Sequence, residues 1–403
     1  MIPRENYMSR IQPFIDTELI KVLTGVRRSG KSVLLGFIQQ ELLARGVAPE
    51  NIIAFNFESL ANSSFLTAEA LYQELSLRIA PTAGKVYLFF DEIQEVQGWE
   101  KCLNSARVDF DCDIYVTGSN ATLLSGELAT YLGGRYVEFV VYPFSFEEFL
   151  RSRGADAAGP QLPDLFRTYM DVGGMPVLAS LRDDREVALQ YLTDVYNSII
   201  LKDIVRRNGI RDVDLLERIV AYVMANVGQS FSANSIARYL KSEHRRVAPE
   251  TVLNYVKACC SAHLFSKVER QDVQGKALLA INEKYYVVDQ GLRQAVYGGN
   301  GRDVSQVLEN IVCMEALRRG CRVTVGKLGE REVDFVLEKT GETIYVQVAY
   351  LIATEDTARR EFEPLQAIRD NYPKYVVSLD EVDLSRGGIM HRNIRQFLLA
   401  SAW

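Results

Sequence analysis

Eight residues, Gly25-Val26-Arg27-Arg28-Ser29-Gly30-Lys31-Ser32, limit what this chain can fold into more than any other stretch. They follow an apolar run, ELIKVLTGV at 18–26, that ends in glycine as a buried parallel strand would. They precede SVLLGFIQQELLARG, which has helical spacing and stops at Gly46. A G-x-x-x-x-G-K-[ST] stretch set between a strand and a helix reads as a phosphate-binding loop. Its glycines let main-chain N–H groups curl around a phosphate, and the helix N-terminus adds the positive end of its dipole. Lys31 is then expected to reach the β- and γ-phosphates of ATP, and the Ser32 hydroxyl to ligate Mg²⁺.

A second motif has the right kind of partner chemistry. KVYLFFDE is an apolar strand that ends in Asp91-Glu92, 60 residues beyond Lys31. Asp91 is expected to hold Mg²⁺ through water and Glu92 to polarise the attacking water. The alternative is a solvated turn with two acids. A further strand, NIIAFNFES, lies between the two motifs, and a glutamate follows the aspartate. Both features point to the P-loop ATPases with an inserted strand rather than to kinases or GTPases. CDIYVTGSN carries Ser119-Asn120 at a strand tip, where AAA-type ATPases keep a residue that positions the lytic water; Gly-Ser-Asn is equally good turn material. Arg135, in YLGGRYVEF, is a candidate for stabilising transition-state charge in its own or a neighbouring subunit, or else an exposed arginine at a strand start.

Strands alternating with helices up to about residue 144 predict a parallel α/β sheet covered on both faces. From about 145 the pattern turns helical, and 211–297 reads as three helices and a hairpin, the order of a winged helix. GGNGRD at 298–303 is the best linker, and a small α/β domain follows. At 403 residues the chain has room for two to four cores. No run approaches the roughly 18 apolar residues of a membrane span, and the N-terminus lacks a secretory h-region. Six cysteines without Cys-x-x-Cys spacing argue against zinc and for a cytoplasmic, reduced protein.

Net charge is −6, which does not suggest a nucleic-acid binder, yet 231–276 holds eight Lys/Arg against four acids, a local +4. Arg245 and Arg246 precede the third helix of the 211–297 segment, and Thr251, Asn254 and Lys257 lie on it, as residues of a recognition helix do. The alternative is a lid or a protein-contact module.

GVRRSGKS, FFDEIQEVQGWE, VTGSNATLLSGELATYLGGR and VYPFSFEEFL together resemble a bacterial and archaeal family of AAA-type ATPases. The resemblance runs along essentially the whole chain. It implies an ATPase core (1–147), a helical lid (148–210), a winged helix (211–299) and a C-terminal restriction-endonuclease-like domain (300–403). Gly174-Met175-Pro176 looks like the Gly-x-Pro that such relatives keep beside adenine, with Gly174 and Pro176 as contacts; a helix cap followed by a proline stop explains it as well. Resemblance to the PD-(D/E)xK nucleases places Glu309 on a first helix, Asp334 at a strand end and 347–349 on the next strand. Gln347 and Ala349 stand where that family has a carboxylate and a lysine. A neutral amide is a poor ligand for a hard cation and alanine cannot orient water, so this site is expected to be degenerate and nuclease activity absent. Glu309 and Asp334 could otherwise be surface acids. The expected function is an Mg²⁺-dependent ATPase that couples hydrolysis to a nucleic-acid or protein partner, with a homo-oligomer among the expected partners. The alternatives are a nucleotide-gated switch with negligible turnover and an ATP-regulated DNA nuclease.

Overall fold

A computed structural model describes residues 2–121, 134–181, 184–275, 277–299 and 303–403. The chain divides into two compact units: residues 1–142 with Ser261–His263, and Pro143–Cys260 with Leu264–Trp403.

The first unit is built on β1 (Ile20–Thr24), β2 (Ile52–Asn56), β3 (Val86–Asp91), β4 (Cys112–Thr117) and β5 (Tyr136–Val140). They form one sheet in the order β2-β3-β4-β1-β5, with every pairing parallel. Alternation along each strand fills a core on both faces. Val86, Leu88 and Phe90 of β3 pack with Phe55, Leu71 and Trp99, whereas Tyr87 and Phe89 pack with Leu34, Ile38 and Tyr115. A buried ion pair, Lys21 with Asp113, spans β1 and β4, and the Tyr115 hydroxyl donates to the same carboxylate at 2.8 Å. The order sets β4 between the strand that leads into Gly25 and the strand that ends in Asp91. All three strands therefore deliver their C-terminal ends to one edge, where a parallel α/β sheet offers its binding crevice.

The second unit combines helices with a seven-stranded mixed sheet. Helix Phe146–Ser152 opens with a capping box: the Ser145 hydroxyl accepts from Glu148 N at 3.0 Å, and the Glu148 carboxylate accepts from Ser145 N at 2.9 Å. Arg185–Ser198 runs on into a wider π-type turn, Ile199–Arg206, in place of one continuous α-helix. Helices Val213–Ala225, Ala233–Ser242 and Pro249–Ser261 precede the hairpin β6 (Phe265–Asp272) and β7 (Leu278–Val287). Helix Val304–Arg318 leads to β8 (Arg322–Leu328), β9 (Arg331–Lys339), β10 (Glu342–Val348), β11 (Lys374–Ser378) and β12 (Met390–Asn393). The sheet order is β12-β11-β10-β9-β8-β6-β7. The hairpin thus does not stand apart: β6 pairs in parallel with β8, Glu269 opposite Thr324 through Asp272 opposite Lys327. Among the described residues no helix is long and apolar enough to cross a membrane, and all six cysteines are free thiols.

Candidate nucleotide site

Residues 25–32 join β1 to helix Lys31–Ala44 in a loop that only particular residues can make. Gly25 has φ +140°, and a Cβ there would lie 2.2 Å from the Val141 carbonyl oxygen. No larger residue fits. Arg28 (φ +69°) and Gly30 (φ +98°) are left-handed, and Ser29 N donates to Val26 O at 3.2 Å. Such turns point successive N–H groups into a concavity that suits an anion. The first helical turn carries no acidic residue. Lys31 is buried and donates to the Gly25 and Val26 carbonyls at 3.0 and 3.1 Å. The Ser29 hydroxyl is buried with no hydrogen-bond partner among the described residues. A closed glycine cradle and an orphaned hydroxyl within it are what a phosphate would complete. Ser32 is exposed on the helix, and Arg27 pairs with Glu58 at 3.2 Å.

The acids at the end of β3 are organised from the neighbouring strand. The Thr117 hydroxyl on β4 donates to Asp91 Oδ1 at 2.6 Å and accepts from Glu92 N at 2.9 Å. One hydroxyl therefore fixes both positions, and the solvated-turn reading of this pair does not hold. Glu92 sits at φ +54°, a left-handed conformation that costs a non-glycine residue about 1–3 kcal/mol and is typical of functional positions. Its carboxyl accepts from the Gln94 amide. Burial raises the Glu92 pKa, and the nearby Lys31 charge opposes that rise. Ser119 and Asn120 are buried just beyond β4. Arg135 is exposed before β5, where its carbonyl accepts from Ile20 N at 3.0 Å. Residues 122–133, most of the stretch between Asn120 and Arg135, lie outside the described residues.

Two contributors had no motif to mark them. Arg4, fully buried, donates to the carbonyls of Ser29 at 3.1 Å and Tyr142 at 2.9 Å, pinning the loop from beneath. Thr117 was readable only as the last residue of a strand; its role depends on β4 lying beside β3.

The remaining candidates lie in the second unit. Gly174 N donates to the Asp289 carboxylate at 2.7 Å, and Gly174 O accepts from Phe144 N at 2.7 Å. Gly174 is required there, since a Cβ would lie 2.3 Å from the Phe144 carbonyl oxygen. Pro176 opens a short 3₁₀ turn. On helix Pro249–Ser261, Asn254 and Lys257 are exposed and Thr251 is half-buried, while Arg246 is exposed before it. Arg245 is engaged by Asp214 at 2.5 Å and Asp212 at 3.6 Å.

Glu309 and Asp334 are not surface acids. Glu309 Oε1 accepts from Tyr286 Oη at 2.6 Å and from Lys284 Nζ at 3.3 Å, and Lys284 also binds Glu332 at 2.7 Å. Asp334 accepts from Val348 N at 2.8 Å, and its own N–H donates to Gln347 Oε1 at 3.3 Å. The Gln347 amide donates to Glu361 Oε2 at 3.1 Å. Burial raises the pKa of both Glu309 and Asp334; Lys284 lowers Glu309 in turn. Burial would lower Lys284, but Glu309, Asp334 and Glu332 outweigh it and hold this lysine above its ordinary value. Ala349 and Gln347 are the positions where the resemblance to nucleases expects a lysine and a carboxylate. Lys284 arrives from β7 and Glu361 from helix Glu355–Gln366, and no sequence motif marks either. Among the described residues no three His, Cys, Asp or Glu side chains are grouped to hold a metal ion.

Residues 17–150 match the model of a family described as an AAA domain, and 163–303 match a domain of unknown function, DUF8612. An uncharacterized protein of Haemophilus influenzae is 42% identical over 378 residues, 94% of this chain and 93% of that one. An uncharacterized protein of Methanocaldococcus jannaschii is 29% identical over 91% of this chain and 81% of its own. Among solved structures, the Aeropyrum pernix Orc1 protein in complex with DNA aligns over 73% of this chain and 92% of its own, at 12% identity and TM-score 0.32. AMPPCP-bound DnaA from Aquifex aeolicus aligns over 64% and 88%, at 14% identity and TM-score 0.30. With its loop, its strand order and a relative matched nearly end to end, the chain belongs to a family of AAA-domain P-loop proteins that includes the Haemophilus influenzae protein.

Proposed function

We propose that this protein is an Mg²⁺-dependent ATPase whose first unit hydrolyses ATP and whose second unit engages a nucleic-acid or protein partner. The observation that carries the reading is the Thr117 hydroxyl, which fixes Asp91 and Glu92 together at the strand end, one strand away from the Gly25–Ser32 loop. A binding-only loop has no need of two acids held in register.

In this reading the main-chain N–H groups of 25–32 receive the phosphates and Lys31 exchanges its two carbonyl bonds for phosphate oxygens. Ser32 and Asp91 would hold Mg²⁺ through their oxygen donors, and the bound ion would supply positive charge against the transferred phosphoryl group. Glu92 orients the attacking water and accepts its proton, a task that its raised pKa favours. Ser119 and Asn120 hold the far side of that water, and Arg135 contributes positive charge, from the same copy or a neighbouring one. Gly174 and Pro176 serve the adenine. The second unit comprises a helical lid (148–210), a winged helix (211–299) and a nuclease-like domain (300–403) that binds rather than cuts. Arg246, Thr251, Asn254 and Lys257, with Arg245, would face nucleic acid.

Phosphate release from Mg·ATP tests this directly. Wild type should turn over and Glu92→Gln should fall about 10²–10⁴-fold while still binding ATP. Equal background rates from both would leave a nucleotide-gated switch and sink the enzyme reading.

A further inference from the structure

The first unit takes in one piece of chain from far along the sequence, Ser261–His263, between helix Pro249–Ser261 and β6. Its last residue is costly in two ways. His263 has φ +55°, in the left-handed region that glycine would occupy without strain. It closes the helix end, since Leu264 N returns to Cys259 O at 3.0 Å, the position where glycine is usual. The ring nitrogen Nε2 is moreover buried with no hydrogen-bond partner among the described residues. Buried polar atoms in native proteins are nearly always paired, and an orphan calls for a missing partner.

The surroundings indicate what that partner is. Burial and then the charge of Lys31 push the His263 pKa down to about 3, so the imidazole is neutral and lies within reach of the loop lysine's field. A neutral ring in the field of an ammonium group can present an N–H donor, and an anion with oxygen acceptors satisfies both groups together. The Ser29 hydroxyl, the other orphan of this unit's loop, looks for the same kind of atom.

We propose that His263 is a nucleotide ligand, its Nε2–H donating to a β- or γ-phosphate oxygen of the nucleotide that Lys31 holds. Nucleotide thereby fixes Ser261–His263, and the strained residue is retained where glycine would close the helix better. The proposal rests on the reading of residues 25–32 as a nucleotide site.

The test is titration calorimetry of the full chain with Mg·ATP, Mg·ADP and AMP. His263→Gly keeps the helix end and loses the donor; it should melt no lower than wild type without ligand, yet bind ATP and ADP about tenfold more weakly. AMP, which lacks the β-phosphate, should not distinguish the two proteins. His263→Phe keeps the ring without the nitrogen and should lose as much, whereas His263→Gln, whose amide nitrogen extends to about the same point, should recover most of the affinity. If the Gly variant does not fold, the Phe and Gln variants decide. Wild-type affinity for ATP in the Gly and Phe variants, with binding lost in Lys31→Ala, overturns the His263 role and leaves the nucleotide site standing. Unchanged ATP binding by Lys31→Ala overturns the site itself, and the His263 proposal with it.

Discussion

The protein holds two arrangements of a buried lysine near a pair of acids, and they are built in opposite ways. In the first unit Lys31 donates to two main-chain carbonyls, and Asp91 and Glu92 are tied to a threonine hydroxyl and a neighbouring amide. In the second unit Lys284 is bound to Glu309 and Glu332, and Tyr286 donates to Glu309. Carbonyl bonds are neutral and exchange readily for phosphate oxygens. Ion pairs inside protein hold each other against desolvation and are broken only at high cost. The same residue types therefore make a site poised for an incoming anion in one unit and a self-neutralised knot in the other.

The sharpest way to break this comparison is to remove each lysine. Lys284→Met should destabilise the second unit by about 3–5 kcal/mol, because the largely buried Glu309 loses the cation that compensates it, whereas Glu332 keeps Arg270 at 2.7 Å. Adding Glu309→Gln should return a good part of that loss, read from urea denaturation curves of the four proteins of the cycle. Lys31→Met should leave the urea midpoint nearly unmoved and abolish ATP binding. Comparable stability losses from both lysines would mean that the two sites do the same job.

Thr117→Val is next in size. It preserves shape but leaves Asp91 and Glu92 N without their shared partner, so steady-state phosphate release should fall about ten- to a hundredfold while ATP affinity changes less. A wild-type rate would show that Asp91 and Glu92 hold their register without Thr117.

Acid pH offers a third measurement. The His263 pKa is depressed from 6.5 to about 3 in the folded protein, so below pH 6.5 the unfolded chain takes up a proton that the folded one refuses. This residue's contribution to stability is present above about pH 6.5 and is lost as pH falls toward 3. Between pH 7.5 and 5.5 the loss should be about 1 kcal/mol in urea unfolding, and His263→Phe should lack it. An identical pH response in the two proteins would place His263 in a solvated setting.

The smallest effect concerns the second unit's candidate DNA face. Arg246→Ala should weaken duplex binding and flatten its salt dependence by about one phosphate contact. Arg245→Ala should do less, since Asp214 and Asp212 already engage that guanidinium. Equal losses would mean that Arg245 leaves its acids on binding.

Local grammar made the first unit readable. The Gly25–Ser32 loop, the Asp91-Glu92 strand end and the alternation of strands and helices each depend on neighbours in sequence, and the sheet followed from them. What escaped notice depends on distance along the chain. Arg4 reaches Tyr142, Thr117 reaches Asp91, Lys284 reaches Glu309 and His263 feels the charge of Lys31 from more than two hundred residues away. None of these has a spacing that local periodicity could reveal. The degenerate hairpin shows the limit most clearly. Gln347 meets Glu361, and Lys284 meets Glu309, from elements that no motif links to that strand.

The pairing of β6 with β8 has a practical consequence for anyone dividing the molecule. Residues 298–303 look like a natural place to cut, but that cut would strip β8 of one neighbour and leave β6 with a bare hydrogen-bonding rim. Each half would then carry an unpaired edge of the kind that recruits other chains. Such halves should come out of solution as aggregates or find one another again when mixed, so the seam of this protein is better sought near Tyr142 than at its most linker-like sequence.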